Sequence, residues 1–174
     1  LKIERHNLEW EQDIVERFQD IKEEIEARYH AQYVGLEKPL FQLYPENANQ
    51  AAEPHGCENS KFVRKRWVQT KDIDLVGYIW LKDYNDQVPL DTDFEVYGGK
   101  LEFPAFNFSL VPQRGTLIMY PAGPHFITAI SPVLVGSLAQ IKLTVSIKER
   151  DGSHWFYQPA RHPGKWSDWL NEFI

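Results

Sequence analysis

The chain has 174 residues, 43% of them hydrophobic and 14% aromatic, and a formal charge of −6. That length and composition suit one folded unit burying roughly two-thirds of its unfolded surface, and they exclude an intrinsically disordered chain. The acidic balance argues against general nucleic-acid binding, the single cysteine Cys57 excludes an intrachain disulfide, and no run reaches the roughly 18 apolar residues of a membrane span.

Asn7 is placed to cap a helix running to about His30. Trp10, Ile14, Phe18, Ile21, Ile25 and Tyr29 recur at helical spacing and share one face. The other face is acid-rich, which suits a helix lying on a core and not on a membrane, where Lys and Arg are favoured. After Gly35, Leu40–Tyr44 reads as a short strand closed by Pro45, and residues 45–60 as a loop. The basic run Lys61-Phe62-Val63-Arg64-Lys65-Arg66 reads as a solvated loop or edge strand. Strand runs follow at Leu75–Leu81, Lys100–Phe103, Phe106–Val111, Thr116–Tyr120, Phe126–Ile130 and Ala139–Ile147. Strands this close together, without helical periods between them, predict an antiparallel sandwich or barrel. Asp83–Glu95 holds five Asp or Glu residues and reads as an acidic, strandless loop at a barrel mouth. His154–Tyr157 reads as a further strand. Trp166, Trp169, Leu170 and Phe173 then place a short closing helix over 159–174. The expected organisation is a single domain over 1–174, with helical support to 38 and a barrel over 39–158.

Eight short pieces stand in a telling order. They are Phe41-Gln42-Leu43-Tyr44, Pro54-His55-Gly56-Cys57-Glu58-Asn59, Tyr78-Ile79-Trp80-Leu81-Lys82-Asp83 and Gly98-Gly99-Lys100-Leu101-Glu102-Phe103, then Pro112-Gln113-Arg114-Gly115, Tyr120-Pro121, Thr128-Ala129-Ile130-Ser131-Pro132-Val133 and Gly136-Ser137-Leu138. In order and spacing, Phe41 to Ile147 resembles the iron(II)/2-oxoglutarate oxygenases of the prolyl 4-hydroxylase-like branch, including its phage-encoded members. The resemblance implies a mainly β fold with flanking helices (α+β). Its centre would be a double-stranded β-helix, or jelly roll, packed by an N-terminal amphipathic helix and a short C-terminal helix. It also implies an iron held by two His and one carboxylate, with a basic residue pairing with the distal carboxylate of 2-oxoglutarate.

His55 matches the first His of that pattern. Cys57 stands where the carboxylate belongs, Thr128 where the second His belongs, and Leu138 at the basic position. Three neighbours are the available substitutes. Glu58 is adjacent to the carboxylate position, but strand alternation points it elsewhere. His125 lies three residues before Thr128, in a Pro-rich turn. Lys142 lies four residues beyond Leu138, on the same strand face but about 13 Å further along, and reads as a partly exposed rim lysine. Cys57 also suits a softer metal, yet a tetrahedral zinc site needs more ligands than His55 adds. No nucleophile constellation or phosphate loop is present.

The resemblance and its gaps together lead to the expectation of an oxygenase-fold domain without catalysis or cofactor. It would be a structural or protein-binding module, with six Trp as candidate anchors. By family analogy, one concrete form is a virion component of a phage tail, neck or baseplate. Protein partners or a homo-oligomer are expected, and neither membrane nor nucleic acid. The N-terminus lacks the apolar core of a secretory signal, so a cytoplasmic or virion location is expected. The alternative is an active iron(II)/2-oxoglutarate dioxygenase with displaced ligands His55, Glu58 and His125, and Lys142 as anion partner.

Overall fold

The computed structural model describes residues 2–5, 10–53, 56–88 and 91–149. Asn7, His55, and the strand and closing helix expected beyond residue 150 lie outside them. The described residues run β1 (Ile3–Arg5), α1 (Glu11–Asp20), α2 (Lys22–Tyr29), β2 (Ala31–Leu36), β3 (Leu40–Pro45), β4 (Ser60–Val63), β5 (Arg66–Gln69) and β6 (Leu75–Trp80). They continue through β7 (Asp83–Tyr84), β8 (Glu95–Gly98), β9 (Leu101–Phe103), β10 (Phe108–Leu110), β11 (Leu117–Pro121), β12 (Ala129–Ile130) and β13 (Val133–Glu149).

One strand organises the rest. Over its 17 residues β13 pairs antiparallel with β8 near its start, with β3 and β6 on its two flanks in the middle, and with β2 at its end. β1 extends the sheet beyond β3, and β11 extends it beyond β6. A smaller antiparallel sheet, β10-β9-β12, faces it. Between the two sheets lies an aromatic-rich core containing Tyr44, Tyr78, Trp80, Phe103, Tyr120 and Leu138. The expected double-stranded β-helix is therefore present, with the one parallel pair described being β7 with β8.

The back of the large sheet is covered by the helices. Phe18 and Ile25 are buried against Leu75, Ile141, Leu143, Val145 and Ile147, with Trp10, Ile14, Ile21 and Tyr29 packed alongside. This is the face read from the sequence, but it belongs to two helices. Ile21 closes α1 and opens α2 with φ −98° and ψ 0°, and its N–H donates to the Phe18 carbonyl at 3.2 Å, a tightened last turn. His30 adopts a left-handed conformation that ends α2 and turns the chain directly into β2, a strand the sequence did not suggest.

Other boundaries shift for local reasons. The expected strand Phe126–Ile130 is reduced to Ala129–Ile130, because Pro124–Phe126 forms a 3-10 turn. Phe106–Val111 contracts to Phe108–Leu110 after a similar turn at Pro104–Phe106. The acidic segment is not strandless: Asp83 and Tyr84 pair with Glu95 and Val96 at its two ends. The basic run forms a two-stranded hairpin, β4-β5, whose turn residues Arg64 and Lys65 both have positive φ, at 50° and 64°.

The Gly98-Gly99 pair makes the turn from β8 to β9, with φ of +88° and +66°. A Cβ at Gly98 would collide with the Pro132 carbonyl oxygen, which belongs to the backbone and cannot step aside. Gly98→Ala should therefore lower stability by more than about 2 kcal/mol, since strain at φ and a backbone clash act together. Urea unfolding of both chains measures the difference, and an unchanged midpoint would refute this account of the turn.

Candidate functional site

Strand alternation on β13 sends Leu138, Gln140 and Lys142 to the face lined by the inter-sheet core, while Ile141, Leu143 and Val145 face the helices. Leu138 is fully buried among apolar groups, so the expected position of the basic residue is a packing position. Gln140 is also fully buried. Its Nε2 donates to Gln42 Oε1 at 2.9 Å, and Gln42 Nε2 donates to Glu4 Oε1 at 2.9 Å. Lys2 Nζ pairs with the same Glu4 oxygen at 2.6 Å and lies over the Tyr44 ring. The contact with Lys2, reinforced by Gln42, holds the Glu4 carboxyl below the usual range despite partial burial.

Lys142 completes the row. Its Nζ meets Glu58 Oε2 at 2.6 Å, with the two side chains only 14% and 22% exposed. Neither group stands as the sequence suggested. Glu58 lies in a bend and not in a strand, so alternation does not apply and its carboxylate turns inward. Lys142 is opposite Tyr78 and Leu40, inside the sheet, and is a partly exposed partner of this carboxylate.

Beside this pair, Cys57, Glu58 and Thr128 line one open cavity of about 360 Å3, with Gln50, Lys61 and Phe126 among its other walls. Thr128 Oγ1 lies 3.3 Å from the Tyr120 hydroxyl, and Tyr44 donates to Gln50 Oε1 at 2.8 Å. Burial raises the pKa of Tyr44, Tyr78 and Tyr120, leaving three neutral phenols around the inner core. Cys57 Sγ lies 3.5 Å from both Asn59 Oδ1 and the Ser60 carbonyl, and burial pushes its thiol up. A thiol held protonated is a poor metal donor, because the ligating form is the thiolate.

His125 sits in the 3-10 turn Pro124–Phe126, and burial lowers its pKa to about 4. It does not line the cavity that gathers Cys57, Glu58 and Thr128. Among the described residues, no three His, Cys, Asp or Glu side chains converge on one point. The sequence also gave no warning of Asn59. It is 2% exposed, donates to the Ile73 carbonyl at 2.8 Å, and its own carbonyl accepts from the Thr70 and Lys71 N–H groups.

Comparison with known proteins places the fold. No family profile and no curated protein sequence matches the chain. Among solved structures, it is similar to a viral collagen prolyl hydroxylase from Paramecium bursaria Chlorella virus-1, solved with 2-oxoglutarate. The TM-score is 0.62 at 15% identity, over 83% of this chain and 78% of that one. A Pseudomonas putida prolyl-4-hydroxylase aligns with TM-score 0.56 and 15% identity, over 86% of this chain and 71% of that one. A Trichoplax adhaerens prolyl hydroxylase, solved with a hypoxia inducible factor peptide, aligns with TM-score 0.53 and 12% identity, over 86% and 64%. The structural neighbours are thus prolyl 4-hydroxylase-like 2-oxoglutarate and iron(II) oxygenases, and at these identities the likeness is one of fold.

Two outcomes follow from this geometry. Lys142→Met and Glu58→Gln should each destabilise by about 1–3 kcal/mol, and the double variant by less than the sum, because each single change strands a largely buried partner. Additive losses in denaturant unfolding would show that the pair is not coupled. The His125 ring should titrate with a midpoint near 4 and so be neutral at pH 7, as followed by the pH dependence of its ring proton NMR shifts. A midpoint near the ordinary 6.5 would contradict the burial described.

Proposed function

We propose that this chain is an oxygenase-fold domain that has exchanged catalysis for a structural or protein-binding role. The observation that carries this reading is the Lys142–Glu58 ion pair. The carboxylate nearest the ligand position and the cation nearest the cosubstrate position are joined to one another, so each neutralises the group the other chemistry would need. Among the described residues, the other expected positions are equally unsuited, while His55 lies outside them. Thr128 is a neutral hydroxyl held by Tyr120, Leu138 is a packed core residue, and Cys57 is held as a thiol. Iron(II) in such enzymes rests on two imidazoles and a carboxylate with open positions. The described residues do not fit that group, and no reaction step is routed through it. A site missing ligands retains metal poorly, because water fills the open positions and the ion dissociates.

Retention of the shell without the site favours a role in which shape is what matters. The strands, the Gly98-Gly99 turn and the aromatic core persist. In this reading they present loops to a partner, a virion assembly being the form that the phage-like resemblance suggests. Loss of catalysis also accounts for a largely shielded lysine inside the barrel: with no metal charge present, its ammonium balances Glu58.

The test uses the purified full chain under anaerobic conditions. After incubation with iron(II) and desalting, it should retain only traces of iron, and 2-oxoglutarate should leave its melting temperature unchanged. A working site saturated at about 100 times its Kd would add about 2.7 kcal/mol, a shift of several degrees. Stoichiometric iron together with that shift, and succinate formation with a proline-containing peptide, would establish the active dioxygenase with displaced ligands instead.

A further inference from the structure

Two exposed surfaces of opposite charge lie at opposite ends of the same strand. The first is the β4-β5 hairpin. Residues 60–69 carry Lys61, Arg64, Lys65 and Arg66 and no acidic residue. Phe62, Val63 and Val68 on it are 38%, 46% and 37% exposed. The hairpin's two strands form a sheet of their own, with one bridge from Lys61 to Gly56, and its root is tied to the barrel through Asn59, whose N–H donates to the Ala122 carbonyl and whose carbonyl accepts from the Thr70 N–H. Ala122 in turn donates to the Asp74 carbonyl, immediately before β6. At the hairpin tip, Arg64 and Lys65 hold positive φ where Asn-Gly would do so with less strain. Two cations therefore occupy a position that backbone geometry alone would give to other residues.

The second surface is formed by the described residues between β7 and β8, 85–88 and 91–94, with Asp83 and Glu95 at their two ends. Residues 83–95 carry no Lys or Arg. Of their acids, Asp83 is engaged by Arg114, which also stacks on Phe94, and Glu95 by Asn85. Asp86, Asp91 and Asp93 remain exposed, with Lys82 beneath them donating to Thr92 and Ser137. Val88 and Phe94 are 69% and 55% exposed. The loop leaves the barrel beyond Trp80, the far end of β6, where Leu81 and Gly115 fix its base. Six residues of β6 separate the two roots by about 16 to 20 Å along the strand.

We propose that copies of this chain associate head to tail, the basic apolar hairpin of one copy docking on the acidic apolar loop of the next. The chemistry matches on both counts: exposed cations meet exposed carboxylates, and Phe62, Val63 and Val68 meet Val88 and Phe94. Because the two surfaces differ and sit at opposite ends, the contact is heterologous. Each added copy leaves one free hairpin and one free loop, so association continues into a ring or a filament unless something caps it. Charge complementarity of this kind steers encounter and weakens with salt. The inference is independent of whether iron is bound, since neither surface includes the inner pair.

Sedimentation velocity of the full chain tests it, at about 50 mM and about 500 mM salt, a range over which screening of exposed charges becomes strong. Larger species should appear with rising concentration at low salt and shrink at high salt. A hairpin-reversed chain (Arg64→Glu with Lys65→Glu) and a loop-reversed chain (Asp86→Lys with Asp93→Lys) should each remain monomeric. Mixing the two should restore association, because the reversed hairpin of one then faces the reversed loop of the other. A misfolded variant cannot produce that rescue. A wild type that stays monomeric at every concentration in low salt overturns the proposal, as does association that survives either reversal or a mixture that does not recover. A hairpin that retards a single-stranded oligonucleotide while the chain stays monomeric assigns the basic surface to nucleic acid and equally overturns it.

Discussion

The structure hangs on one extended segment, Val133–Glu149, which makes ladders with β8, β3, β6 and β2 in a single run. Because side chains alternate along it, this strand decides at once what packs beneath the helices and what faces the interior. Ile141, Leu143 and Val145 anchor the helical layer. Leu138, Gln140 and Lys142 form the floor of the inner chamber. A one-residue slip would exchange these two sets and bury the polar row under the helices, so the register is held by both cores. The Gly98 turn, tucked against Pro132 just before the strand begins, fixes where that register starts.

The chemistry of the interior follows from that floor. Leucine at position 138 extends the apolar core across the place where a basic group is expected, and the charge appears four residues later. There it meets Glu58, delivered by a bend that breaks strand alternation. The chamber thus contains a balanced ion pair, a glutamine ladder ending at Glu4, and three neutral phenols. These groups are largely partnered within the chain, while Gln140 Oε1 and Trp80 Nε1 are buried without a hydrogen-bond partner among the described residues.

Much of the fold was legible in the sequence, and the reasons are local. Alternation and turn glycines placed the strands around Gly98 and Gly115, and three-to-four spacing placed the helical face from Trp10 to Tyr29. What escaped depends on contacts distant in sequence or on unusual backbone. β13 reads shorter than it is because Gly136, with φ +81°, interrupts its pattern although the ladder continues through it. The hairpin carries Arg64-Lys65 in place of a recognisable turn pair, and β2 follows a left-handed His30 with no glycine to mark the stop. In the site, the identities of Cys57, Thr128 and Leu138 signalled the departure from the oxygenase pattern. The partnership of Glu58 with Lys142 spans 84 positions of sequence and depends on a bend that no periodicity foretells.

Anomalous diffraction from crystals grown with manganese(II) and 2-oxoglutarate tests the central claim most directly, since manganese can stand in for iron(II) at oxygen and nitrogen ligands. The account predicts Lys142 Nζ still in contact with Glu58 and no anomalous peak within reach of Glu58 or Thr128. A peak coordinated by Glu58, with Lys142 turned away to the cosubstrate carboxylate, would contradict it.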